Sequence, residues 1–254
     1  MNFRKMIIVV CCAFLFAPTV VSAQSADDIK FMTENYPPFN FKEGGKLQGI
    51  AVDLIDTVLK KMKSGQSKDD IQLLPWARGY KNTLEKKNTC LFATTRTEER
   101  EDKFKWVGPI SPTTISLLAR KDKGITLTST ADAKKFKIGV AINDIGEQLL
   151  VKAGLDLKKL DRTGGTNVLD SLINKLKLKR IDLLAYEENV VKWEIKKKGL
   201  NPEDYQTVHV LKKGELFYAF HKSTPDALIN QFQKALEAVK KDGTYQKILD
   251  SYLK

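Results

Sequence analysis

Apolar positions along this 254-residue chain fall in blocks whose period changes from one to the next. Residues 6–17 are almost wholly apolar behind Arg4 and Lys5, and the block ends at Pro18 and the small triplet Val21-Ser22-Ala23. Basic start, apolar block and small-residue end in that order predict a secretory leader over residues 1–23; the block is too short to span a bilayer as a helix. Residues 29–33 then read as a strand, and Glu34-Asn35-Tyr36-Pro37-Pro38-Phe39 as the irregular turn after it, because adjacent prolines cannot continue a ladder. In residues 47–63, Ile50, Leu54, Ile55, Val58, Leu59 and Met62 recur at three- and four-residue spacings, which predicts an amphipathic helix. Further strands are expected at 71–74 and 90–94, with a helix at 78–87 between them.

The pattern restarts after Leu117. Strands are expected at 137–141, 181–185 and 216–220, and helices at 145–153, 167–176 and 225–241, the last with Leu228, Ile229, Phe232, Leu236 and Val239 on one face. Strands alternating with helices predict α/β layers built from crossover units. No repeat or low-complexity linker separates the halves, so two α/β lobes in close contact are expected.

Composition narrows the function. With 42% apolar and 29% charged residues and 3 Cys, the chain is neither a disulfide scaffold nor a disordered tail. Its formal charge of +12 suggests nucleic acid at first sight. A leader argues against that partner, and the lysines are dispersed in pairs such as Lys60-Lys61, Lys86-Lys87 and Lys240-Lys241, as on a solvated surface. Losing the leader removes two positive charges and Cys11 with Cys12, which leaves Cys90 alone and no internal disulfide possible. His209 and His221 stand apart without Cys or carboxylate at ligand spacing, and there is no P-loop, G-x-S-x-G or G-x-G-x-x-G. No metal and no cofactor are expected.

Residues 90–101 run from a buried-looking strand into a hydroxyl-rich turn holding Thr94 and Thr95, then into a charged helical start. Thr95 and Glu98 have capping-box spacing. Amides, hydroxyls and a guanidinium together make a carboxylate receptor, because arginine can pair both oxygens at once. Arg96 and Arg100 are equally well placed to pair with Glu98, Glu99 or Glu101 on a wet helix, and local sequence does not choose between these readings. Upstream, Trp76 fits either a core or a ligand platform, and Arg78, if it faces a cleft, would favour a ligand with a second acidic group.

Several segments carry a family resemblance. Tyr36-Pro37-Pro38-Phe39, Gly49-Ile50-Ala51-Val52-Asp53-Leu54, Thr97-Glu98-Glu99-Arg100 followed by Trp106-Val107-Gly108-Pro109-Ile110, Arg180-Ile181-Asp182, and Asp242-Gly243-Thr244-Tyr245 followed by Ile248-Leu249 resemble landmarks of the extracellular solute-binding proteins of family 3, the periplasmic receptors of polar amino acid ABC transporters. The resemblance implies a type II periplasmic binding protein fold: two α/β lobes joined by two crossing segments, with the ligand cleft between them. Lobe one would take residues 24–117 and 213–254, lobe two 118–212, with the crossings near 116–121 and 208–214. It further implies that Arg100 binds a ligand carboxylate beside Thr95, that Tyr36 packs on the ligand body, and that Glu187 receives an α-ammonium where the family usually has aspartate. Asn143-Asp144-Ile145-Gly146 replaces the family's Gly followed by Ser or Thr, so amide donors at Asp144 and Ile145 would remain while a hydroxyl contact is lost, and Asp144 can cap the following helix.

The expected protein is a monomeric periplasmic receptor that captures a small zwitterionic or acidic molecule, an amino acid or a close relative, and delivers it to an inner-membrane ABC permease. An enzyme on the same fold, resembling cyclohexadienyl or arogenate dehydratases, and an exported ligand sensor are the alternatives.

Overall fold

The computed structural model describes residues 24–253; the leader expected at 1–23 lies outside the described residues. Its elements in chain order are β1 (Lys30–Thr33), a hairpin of β2 (Phe41–Glu43) and β3 (Lys46–Gln48), α1 (Ile50–Lys61), β4 (Gln72–Leu73), α2 (Trp76–Glu85), β5 (Thr89–Thr95), α3 (Glu98–Glu101) and β6 (Phe104–Arg120). After these come β7 (Ile138–Ala141), α4 (Ile145–Lys152), β8 (Asp161–Thr163), α5 (Val168–Lys177), β9 (Leu183–Glu187), α6 (Glu188–Lys197), β10 (Tyr205–His221), α7 (Asp226–Lys241) and α8 (Thr244–Leu253). Among the described residues no helix is long and apolar enough to cross a membrane.

Eight strands form one sheet in the order β4-β1-β5-β10-β6-β9-β7-β8. The outer trios are internally parallel, as crossover units require, and the long central pair β6 and β10 runs antiparallel through both halves. Strand β10 pairs with β5 as far as Leu216↔Thr95, and β6 pairs with β9 from Ile115↔Glu187 onward. The handover between lobes therefore falls at 111–115 in β6 and 212–216 in β10. For the first crossing that is earlier than the expected 116–121. Helices α7 and α8 come back to pack on α1, so the chain's last segment finishes the half that its first segment began.

Local chemistry explains where elements start. The 47–63 helix begins only at Ile50, because Leu47 is taken by the hairpin pairing Lys42↔Leu47. Gly49 precedes α1 at φ +126, and a Cβ there would lie 2.5 Å from the Phe39 carbonyl oxygen, so only glycine lets the turn come this close. That approach lets the Pro38 and Phe39 carbonyls accept from the Ile50 and Ala51 amides at 3.0 and 2.8 Å. The prolyl turn after β1 is thereby docked on the start of α1. Strand β6, which periodicity did not predict, and the full length of β10 are the main additions, with α6 and α8.

Candidate functional site

The candidate residues arrive from the carboxyl ends of parallel strands, where ligands sit in open α/β sheets. The end of β1 supplies Glu34 and Tyr36; β5 supplies Thr94 and Thr95; α3 supplies Arg100; the start of α2 supplies Trp76. From the other half, the β7–α4 turn supplies Asn143, Asp144 and Ile145, and the end of β9 supplies Tyr186 and Glu187. All but Asn143 are buried.

The two halves touch through these groups. Trp76 Nε1 donates to the Asn143 carbonyl at 2.9 Å, and Arg100 Nε donates to Gln148 Oε1 of α4 at 3.1 Å. The Tyr36 and Tyr186 rings lie 5.7 Å apart. At the outer edge Lys152 of α4 pairs with Glu99, and with Glu98 at 3.6 Å. A seam cavity of about 10 Å³ beside Trp76 lies between the start of α2 and the β8–α5 turn. The structure is thus closed across the cleft. Larger cavities lie on the outside, one of about 650 Å³ along α6 and one of about 160 Å³ beside β7.

Arg100 is the central cation. It is 1% exposed, its guanidinium carbon sits 5.3 Å from the Trp76 ring centre and 5.2 Å from that of Tyr80, and Nη1 donates to the Thr95 carbonyl at 3.2 Å. Nη2 is buried and makes no hydrogen bond of good geometry; the Tyr80 hydroxyl, itself without a well-aligned partner, is the polar group that supports the guanidinium there. Burial works against its charge and draws its pKa down, against the pull of Tyr80, Asp144 and Tyr36. Arg96, its competitor in the sequence, lies at the surface bonded to Glu101 and over the rings of Trp106 and Phe217. The sequence left these two arginines even; the fold separates them.

Three acids face the same region. Burial pushes the Glu34 carboxyl well above its usual range, with Asp144 adding to the shift and Arg100 opposing it. Asp144 is also raised by burial, against Arg100 and the nearby amides of Ile145 and Gly146. It holds the N-cap position of α4 without a side-chain hydrogen bond to that turn. Glu187, 0% exposed, is raised by burial too, but it is already served: its carboxylate accepts from Val190 N at 2.7 Å, Thr114 N at 3.3 Å and Asn189 Nδ2 at 3.3 Å. It caps α6 and ties it to β6. Both Tyr36 and Tyr186 have phenols pushed well above their usual pKa by burial beside these acids.

Other expectations shift. Arg78 is exposed and lies with Lys30, Gln72, Asn82 and Lys86 around β4, outside the cluster, so it gives no ground for a second acidic group on the ligand. It sits on the face of α2 opposite buried Trp76, Gly79 and Tyr80. The capping box at Thr95 does not form, because α3 starts after Thr97 and Thr95 stays in the strand. The Thr94 hydroxyl is spent on the Leu91 carbonyl at 3.2 Å, and Ile145 is buried at the first turn of α4. Sequence reasoning missed Glu34, Tyr186 and Gln148. Glu34 stands two residues before Tyr36 at the end of a strand, and that spacing was the available signal. Among the described residues no cluster of His, Cys, Asp or Glu could hold a metal ion.

Comparison with known proteins gives a consistent picture. The model of the bacterial extracellular solute-binding proteins, family 3, matches residues 29–254. A probable histidine-binding protein of Campylobacter jejuni is 25% identical over 224 residues, covering 86% of this chain and 81% of the relative. The arginine-binding periplasmic protein of Mannheimia haemolytica is 26% identical over 239 residues, covering 92% and 94%. Among solved structures, an ancestral arginine-binding protein bound to arginine superposes with a TM-score of 0.73 at 26% identity, covering 89% of this chain and 98% of that one.

Proposed function

Because the chain belongs to the bacterial extracellular solute-binding proteins of family 3, we propose that it is the periplasmic receptor of an ABC uptake system, capturing a free amino acid by closure of its two lobes and presenting it to an inner-membrane permease. The observation that carries this reading is the Arg100 guanidinium, buried at the junction of the lobes with Nη2 making no hydrogen bond of good geometry. Leaving such a donor unpaired costs about 1–3 kcal/mol, and more for a charged group. A ligand carboxylate removes that cost.

In this reading Arg100 takes the carboxylate, beside the ends of β5 at Thr94 and Thr95. The ammonium goes to the opposite wall, to Glu187 and Asp144 at the starts of α6 and α4, with the Ile145 amide beside them. Tyr36 and Trp76 flank the body of the ligand. Closure bends the molecule at the handover in β6 and β10, and the closed state is favoured because both walls then hold the same molecule. No bond of the ligand is broken. The names of the relatives support an amino acid as cargo.

A thermal-unfolding screen of the whole protein against the standard amino acids and succinate tests the reading, since a ligand that binds only the folded state raises the midpoint with ln(1 + [L]/Kd). Arg100→Ala should weaken the best amino acid at least about 100-fold by calorimetry, the loss of two charge-assisted bonds. A loss under about threefold, roughly 0.7 kcal/mol, would overturn the carboxylate clamp. Delivery predicts that the loaded receptor stimulates ATP hydrolysis by its transporter in proteoliposomes.

A further inference from the structure

The buried acids at the cleft outnumber the buried cations. Among the described residues Arg100 is the only buried cation, and Glu34 and Asp144 are both buried near it. Among the described residues no ion pair joins Arg100 to either acid, and no hydrogen bond reaches the Glu34 carboxylate. The remaining charge is accounted for locally: Glu147 is paired with Arg162 at 2.6 Å and accepts from Asn143 N at 2.9 Å, and Glu187 has its three donors. Asp144 has the amides of α4 beside it. Glu34 has no such help.

Building on the receptor reading above, we infer that the cleft selects an amino acid whose side chain carries a positive charge, with Glu34 as the group that receives that charge. A carboxylate on Arg100 and an α-ammonium on the far wall use one ligand charge of each sign. Glu34 then remains a buried acid without a partner, and burial favours its neutral form. A second positive charge on the ligand favours the carboxylate and pairs with it. A neutral side chain leaves Glu34 protonated and gains no charge-assisted contact, and an acidic one opposes its ionisation. The walls suit the same choice, because the faces of Tyr36 and Tyr186 attract cations. The exposed position of Arg78 removes the group that would have argued for an acidic ligand.

Titration calorimetry on the whole protein, with L-lysine against its uncharged isostere L-norleucine and with L-arginine, L-glutamine and L-glutamate alongside, decides the matter. The better of lysine and arginine should bind at least about 30-fold tighter than norleucine or glutamine, as expected for one charge-assisted contact, with glutamate weakest. Glu34→Gln should weaken the cationic ligand about tenfold or more while glutamine binds as well as before or better. Glutamine or glutamate binding as tightly as lysine and arginine would overturn this inference and leave the receptor reading intact. Glu34→Gln weakening lysine and glutamine equally would do the same, since that is what a merely structural acid does. Failure of every amino acid to bind overturns the receptor reading itself, and this inference with it.

Discussion

The rim of the cleft and its floor treat charge in opposite ways. At the rim Lys152 reaches across to Glu98 and Glu99, and Arg96 holds Glu101, with all of these side chains still in contact with water. At the floor Arg100, Glu34 and Asp144 are buried, and no ion pair is made between them. Exposed pairs of the rim kind contribute about 0–1 kcal/mol each. Buried groups of the floor kind cost more than that when left alone, and the cost is returned only when a complementary partner arrives. In this molecule the pairs that are made lie at the surface, and Arg100, Glu34 and Asp144, left without an ion pair, lie at the junction of the two halves.

That contrast can be broken most severely at Arg100, where alanine is expected to remove binding at least about 100-fold while far-UV circular dichroism stays unchanged. The Glu34→Gln exchange, tenfold or more on a cationic ligand and nothing on a neutral one, is the next largest effect. Trp76→Phe is milder: it keeps a ring under the guanidinium and deletes only the bond from Nε1 to Asn143 across the cleft. Affinity should fall about fivefold, near 1 kcal/mol, and unchanged calorimetry would mean that this bond does not help hold the lobes together.

Acidity sharpens the same comparison. Glu34, Asp144 and Glu187 have folded-state pKa values raised by burial, so the folded protein holds protons that the unfolded chain has released. Arg100 opposes the shift at Glu34 and Asp144, and backbone amides oppose it at Asp144 and Glu187. Stability of the ligand-free protein should therefore rise as pH falls from about 8 toward the carboxylate range. At the surface the sign reverses. Glu99, Asp132 and Asp242 are held down to about 2 by Lys152, by Thr128 with the Ser129 amide, and by Thr244 with Lys61, so their stabilisation is lost as pH falls below about 4. Scanning calorimetry should show a midpoint maximum between about pH 4.5 and 6, with Glu34→Gln flattening the alkaline limb; a wild-type midpoint that does not move between pH 8 and 5 would mean the floor acids are compensated after all. The smallest effect belongs to the rim: Lys152→Ala should change affinity less than about threefold, and the change should vanish at about 0.5 M salt.

Helix α1 was legible because one stripe of Ile50, Leu54, Ile55, Val58 and Leu59 faces a single core throughout. Strand β6 was not. Pro109 and Pro112 interrupt it, and its burial loses alternation because its neighbours change from β10 alone to β10 and β9 as it passes between halves. The same limit applied to the arginines. Both stand among glutamates four residues apart, and what separates them is the strand end that keeps Arg96 beside Glu215 while α3 turns Arg100 inward. Glu187 was expected from its position after Arg180-Ile181-Asp182, yet the reason its carboxylate is engaged, the start of α6 immediately after β9, could be seen only once both elements were placed. Glu34 was passed over because a lone acid in a prolyl turn reads as solvated until the opposite half covers it.

Strand β10 lies between β5 and β6, and the Tyr252 hydroxyl of α8 accepts from Gly49 N at 3.0 Å and donates to Asp53 at 2.5 Å. In terms of synthesis, β5 is made early and stays without its neighbour β10, and α1 without the backing of α7 and α8, until the last stretch of chain has emerged. A chain that stops after β9 lacks β10, the strand through which β5 and β6 share one sheet, so its two halves have no common strand to hold them in register.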